Sequence, residues 1–197
     1  MKCVNGMMLE QYKSCVENMG KPKSPEAQIR GWKSRRAGEA FERLIDASCE
    51  AYRRAGMAII EKTPEPMAPI KPLPGGRFIA IFRERAQCDY KGVLRGGWSI
   101  AFEAKRTDKD RIYQKAVTER QAQCLGDMYR LGANCFVLVS IRMHRCFRVP
   151  WLVWENMADL YGRKYMTEAD LAEFEVTASP DRINFLSEEE LALKWKA

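Results

Sequence analysis

Three residues in the middle of the chain could do chemistry together: Asp89, Glu103 and Lys105. Glu103 and Lys105 lie in the run "WSIAFEAKRT", whose apolar content and β-branched and aromatic residues predict a strand. Residues two apart in a strand share a face, so Glu103 and Lys105 point one way while Phe102 and Ala104 point the other. Asp89 opens a second strand-like run, "DYKGVL", joined to the first through "RGG", which reads as a tight hairpin. The hairpin folds Asp89 back toward Glu103 and Lys105. Two carboxylates at one end of a sheet suit Mg²⁺, a hard cation that takes oxygen ligands, and an adjacent ammonium can steady an attacking water or the charge growing on a phosphate. That is the chemistry of metal-dependent phosphodiester hydrolysis. The competing reading is a plain salt bridge on an edge strand, because the tripeptide E-x-K is common.

The elements around this trio decide whether it can be positioned. Upstream, "AGEAFERLIDASCEAYRRAG" places Phe41, Leu44, Ile45, Cys49 and Tyr52 on one helical face and stops at Gly56, with Glu42 beside that face. "MAIIEK" reads as a strand. Pro64, Pro66, Pro69, Pro72 and Pro74 then exclude a helix or a central strand and predict an extended, semi-rigid projection. "RFIAIFRER" is expected as a further strand of the sheet. "YQKAVTERQAQCLGDMYRLGAN" predicts a second long helix, and "CFVLVSIR" and "CFRVPW" two more strands. Met8, Leu9, Tyr12, Val16 and Met19 predict a short N-terminal helix, and Thr167 and Ser187 read as caps of two helical pieces near the C-terminus. The expected architecture is α/β, with residues 1–34 as helix and basic linker, a core over 35–150 with its projection at about 64–85, and a helical, acidic extension over 151–197.

Charge and composition limit the function classes. The chain has 197 residues, 46% of them hydrophobic and 30% charged, enough for one real core, and no apolar run of membrane-spanning length or secretory type, so a cytoplasmic location is expected. From Glu155 onward ten acids face five Lys or Arg, leaving residues 1–154 with 28 basic and 16 acidic residues, a net +12. Such a field attracts polyanions. The segment "KPKSPEAQIRGWKSRR" sets Trp32 among Arg30, Lys33, Arg35 and Arg36, which reads equally as a phosphate-contacting surface or as a merely solvated one. The seven cysteines are scattered with no C-x-x-C pair, so neither a zinc knuckle nor a disulfide framework is indicated, and reduced, buried thiols are expected. His144 is the single histidine, which leaves His-metal and Ser-His-Asp mechanisms almost without material. Trp151 and Trp154 are expected in a core or a dimer contact.

The ordered set of a helix with a carboxylate, a strand, an Asp before a hairpin, "ExK" on the next strand and then a helix resembles the PD-(D/E)xK nuclease superfamily, with its restriction-endonuclease-like core. More narrowly, "GEAFE", "EKTPEP", "DYKGV", "FEAKRT", "ERQ" and "GANCFVLVSI" resemble the successive motifs of RecU-type Holliday junction resolvases. The resemblance spans about residues 35 to 150, with no counterpart read beyond Trp151. It implies catalytic positions at Glu42, Asp89, Glu103, Lys105 and Gln121, with Asp89 and Glu103 as ligands of Mg²⁺, for which Mn²⁺ could substitute. It also implies a homodimer that nicks opposing strands of a four-way DNA junction, held by basic residues for which Arg30, Lys33, Arg35, Arg36, Lys71, Arg77 and Arg106 are the candidates. Cys88 stands where the family commonly has a hydroxyl residue, Arg120 where a histidine is expected, and the projecting stalk over Met67–Arg85 is shortened and proline-rich. A less selective nuclease, or a non-catalytic basic DNA-binding protein on the same scaffold, are the alternatives.

Overall fold

The computed structural model describes residues 24–64, 66–82 and 88–192. The helix expected over Met8–Met19 lies outside them. The described residues divide into two compact units, one of residues 24–35 and 66–82, the other of 36–64 and 88–192.

Helix α1 spans Pro25–Arg54, its first residues in the first unit and the rest in the second. The basic segment expected as a linker is therefore helical from Pro25. Its start is built from Ser24, whose Oγ accepts from the Ala27 N–H, Pro25 in the first turn and the acidic Glu26. The first unit also holds a two-stranded antiparallel hairpin of β2 (Met67–Pro72) and β3 (Phe78–Phe82). The proline-rich stretch is thus a strand whose only partner among the described residues is "FIAIF". That run was expected in the main sheet and instead closes the hairpin. Prolines cannot donate to a second neighbour, which confines β2 to such a pairing.

The second unit is a six-stranded mixed sheet in the order β1 (Ala58–Lys62), β4 (Tyr90–Leu94), β5 (Trp98–Thr107), β7 (Asn134–Ile141), β8 (Arg145–Pro150), β10 (Glu175–Val176). All neighbours are antiparallel except β5 and β7, which run parallel and are linked through β6 (Arg111–Tyr113) and helix α2 (Glu119–Arg130). The helix is shorter than expected: Tyr113 belongs to a separate ribbon of β6 with β9 (Tyr165–Thr167), Gln114–Ala116 form a 3-10 turn, and Thr118 caps the helix at Glu119. Between β4 and β5, Leu94 pairs with Trp98 across a three-residue loop closed by the Gly97 N–H on the Leu94 carbonyl at 3.1 Å, and Gly96 and Gly97 take φ of 87° and 85°, the left-handed region that favours glycine.

One face of the sheet packs on α1 through Phe41, Ile45, Ile100, Phe102, Phe136 and Leu138; the other packs on α2 through Ala101, Leu125, Val137, Val139 and Trp154. Tyr90, Phe102 and Phe136 stack across three strands with centroid spacings of 4.9 and 4.7 Å, each pair worth about 0.5–1.5 kcal/mol beyond burial. Residues after Trp151 are not a purely helical extension. Besides helices α3 (Trp151–Glu155), α4 (Met157–Tyr161), α5 (Glu168–Leu171) and α6 (Glu188–Leu191), they supply β9 and β10, and they put Ile183 and Phe185 into the core against α1. Ser48 Oγ accepts from the Ile183 N–H at 2.8 Å, and the Tyr52 hydroxyl accepts from the Leu186 N–H at 3.2 Å. Trp151 and Trp154 are buried in the core. Cys49, Cys88, Cys135 and Cys146 are free and buried.

Candidate active site

β4 and β5 pair Tyr90 with Phe102, which places Asp89, one residue ahead, beside Glu103. The Asp89 carbonyl accepts from the Thr63 N–H at 2.8 Å, anchoring it to the end of β1. Its N–H donates to Glu103 Oε1 at 3.1 Å, and its Oδ2 accepts from the Ala104 N–H at 3.0 Å. Lys105 Nζ donates to Glu103 Oε2 at 2.7 Å and lies 3.5 Å from Asp89 Oδ2.

Glu103 is fully buried, and desolvation pushes its carboxyl up to about 8. The Lys105 ammonium pulls the other way, and the Asp89 charge adds to the rise. One ammonium is therefore too little positive charge for two carboxylates at this depth. The exposure of Asp89 and Lys105, at 28% and 18% of their side chains, gives the cluster its opening to solvent.

Gln121 completes the group from α2. Its Nε2 donates to Glu103 Oε2 at 2.6 Å, while its Oε1 accepts from both the N–H and the hydroxyl of Thr118 at 3.0 Å. Thr118 is the N-cap of α2 and forms a reciprocal capping box with Gln121. The two Thr118 donors hold the amide oxygen, which leaves the nitrogen for Glu103.

Glu42 does not join this cluster directly. It sits on α1, and its Oε2 accepts from Lys62 Nζ at 2.7 Å. Burial opposes the Lys62 charge, but the bond to Glu42 and the negative charges of Glu42, Asp46 and Asp89 outweigh it and raise the lysine's pKa. Lys62 therefore links Glu42 to the field of Asp89. Sequence reasoning missed Lys62 and Thr118. "EKTPEP" carries the lysine, and "TERQ" is a capping-box signature that would have found the threonine.

Of the basic candidates, Lys33, Arg35 and Arg36 are exposed on α1, and Lys71 and Arg77 are exposed on the β2–β3 hairpin. Arg106 is placed differently. Its side chain is only 12% exposed and its guanidinium pairs with Asp108. The Arg30 side chain lies outside the described residues. Among the described residues no helix is long and apolar enough to cross a membrane.

Residues 36–187 match the family model described as Recombination protein U (RecU). The chain belongs to that family. The match takes in Glu42, Asp89, Glu103, Lys105 and Gln121, and it runs well past Trp151, where the sequence alone offered no counterpart. Similar curated RecU-family proteins include the Holliday junction resolvase RecU of Streptococcus gordonii, 32% identical over 135 residues (64% of this chain, 67% of that one). The Holliday junction resolvase RecU of Streptococcus oralis is 33% identical over 125 residues (60% and 62%), and that of a Geobacillus species 34% over 108 (52% and 53%). The chain thus spans about half to two thirds of the length of these RecU relatives. A solved structure of Hjc, a Holliday junction resolvase from Archaeoglobus fulgidus, aligns at 14% identity with a TM-score of 0.38, covering 62% of this chain and 84% of that one.

Proposed function

We propose that the protein is a metal-dependent endodeoxyribonuclease of the cytoplasm that resolves four-way DNA junctions by paired phosphodiester hydrolysis, acting as a homodimer. The observation that carries this reading is the hydrogen-bonded set of Asp89, Glu103, Lys105 and Gln121 in a member of the RecU family. A protein that only binds a polyanion gains nothing from two adjacent carboxylates.

The donor set fits a divalent ion. Among the described residues no group of three or more acidic, histidine or cysteine ligands converges. Two carboxylates, with water and phosphate oxygens completing the sphere, is the pattern Mg²⁺ takes where phosphates react, and Mn²⁺ could replace it. Asp89 and Glu103 would hold the ion, which would polarise the scissile phosphate and activate a water. Lys105 contributes charge at the same point and stabilises the phosphate as negative charge grows on it. Gln121 fixes the rotation of the Glu103 carboxylate. Arg35, Arg36, Lys33, Lys71 and Arg77 contact DNA phosphates.

The experiment incubates the protein with labelled four-way junction, duplex and single strand, with and without Mg²⁺. Symmetric, Mg²⁺-dependent nicks in the junction alone support the reading. Equal cleavage of all three substrates assigns a less selective nuclease, and binding without cleavage assigns a non-catalytic protein. Light scattering that reports a monomer, with and without junction DNA, overturns the homodimer.

A further inference from the structure

Beside the catalytic cluster, on another face of α2, lies a groove of about 630 Å³ whose floor includes Gly126, Trp151 and Trp154 and whose rim includes Lys115, Lys164 and Glu155. That volume falls within the range of roughly 300–1,000 Å³ typical of small-ligand pockets. Trp151 and Trp154 are 2% and 1% exposed, and their indole Nε1 atoms are buried with no hydrogen-bond partner among the described residues. An indole nitrogen can only donate, and a buried donor without an acceptor is costly. An occupant that carries acceptors to these two tryptophans would remove that cost.

Gly126 locates the point of contact. A Cβ there would stand 3.6 Å from Trp151 Nε1, 3.6 Å from Glu155 Oε1 and 3.5 Å from Arg130 Nη1. An N–H donor, a carboxylate acceptor and a guanidinium thus cluster around the position that a side chain at 126 would take. A nucleobase edge offers the matching set, a carbonyl or ring-nitrogen acceptor next to an N–H donor. Lys115 and Lys164 on the rim supply charge for the flanking phosphates. Ala122, also in the lining, directly follows Gln121, so the groove lies within about one helical turn, 5.4 Å, of the residue bonded to Glu103.

We infer that this groove receives an unstacked nucleotide of the DNA substrate, next to the phosphate that is cut, and that contacts to its base edge contribute a sequence preference at the cleavage point. The inference rests on the proposed nuclease function.

The test uses junctions carrying 2-aminopurine at successive positions around the cleavage site, bound to the full chain in Ca²⁺. The base brightens when it leaves the stack. Brightening is expected at one position, and Gly126→Leu, which fills the groove, is expected to abolish it. Gly126→Ala makes only ordinary contacts, so it folds whether or not the leucine variant does, and it is expected to dim the signal partly. Trp154→Phe keeps an aromatic ring but removes one donor, and is expected to lower occupancy about three- to tenfold, the worth of one hydrogen bond. If the protein binds and cuts junctions while every position stays dark, or if brightening survives Gly126→Leu unchanged, the groove does not hold a nucleotide. If it neither binds nor cuts junctions, the nuclease reading itself has failed, and this inference with it.

Discussion

Gln121 Nε2 lies 2.6 Å from Glu103 Oε2, a bond between the first turn of a helix and the buried middle of a strand. It joins an element that covers the sheet to the acid that the sheet buries. Because Thr118 holds the other end of the amide, the bond has one orientation. Gln121→Ala should leave junction affinity in Ca²⁺ intact and reduce cleavage about 10- to 100-fold, the usual effect of losing a group that orients a metal ligand. Single-turnover rates against affinity check this, and an unchanged rate removes Gln121 from the site.

Glu103→Gln separates binding from catalysis. The exchange keeps the size of the side chain and removes one negative charge beside a polyanion, so junction affinity should hold or tighten while cleavage falls. Replacing Arg35 and Arg36 together should do the opposite, weakening binding on every DNA shape and lowering the salt slope by about one unit for each phosphate left unneutralised. Binding in Ca²⁺ across a salt series, with cleavage in Mg²⁺, distinguishes the two.

The raised pKa of Glu103 has a stability consequence with a definite sign. The fold favours the protonated acid, so this residue stabilises most below its ordinary value of 4.5, and the benefit is lost as pH climbs to about 8. Metal-free wild type should therefore lose stability relative to Glu103→Gln between those limits and run parallel to it above them. Thermal melts of both proteins in chelator from pH 4 to 9 read the difference. Added Mg²⁺ should recover stability most at the alkaline end, where the ligand is already ionised.

Gly92 faces β1 so closely that a Cβ would meet Ile59 O at 2.1 Å and Ile60 Cα at 2.7 Å. Both neighbours are backbone and cannot rotate away. Gly92→Ala should destabilise the protein by about 1–3 kcal/mol or more, readable in a urea titration. Gly126→Ala serves as the control, because its new methyl makes only ordinary contacts.

The legible parts of the fold were those governed by local pattern. Strand parity placed Glu103 and Lys105 on one face, and "RGG" marked the hairpin that brings in Asp89. The start of α1 was misread although Ser24, Pro25 and Glu26 spell it out, because the basic residues after them show no apolar stripe. The partner of "FIAIF" was misjudged because pairing choice depends on which edge is free, something no local window contains. Glu42 was expected as a catalytic position approaching the site from the first core helix. Its side chain meets Lys62, a pairing set by where β1 passes α1 and not readable from either segment alone. The role of the last residues was invisible for a similar reason, since Ser48 meets Ile183 and Tyr52 meets Leu186 across more than 130 positions of chain.

Those two contacts order events during synthesis. The strands that carry Asp89 and Glu103, and the neighbours that flank them, have all been made once β8 is complete, yet the cover that α1 gives one face of the sheet stays incomplete until Ile183, Phe185 and Leu186 emerge from the ribosome and dock. At roughly 5–20 residues per second that interval lasts only seconds, but through it the ring stack of Tyr90, Phe102 and Phe136 lacks its cover. The nascent chain therefore carries Asp89 and Glu103 on a sheet whose opposite face is still incompletely covered, and residues 183–186 complete that cover.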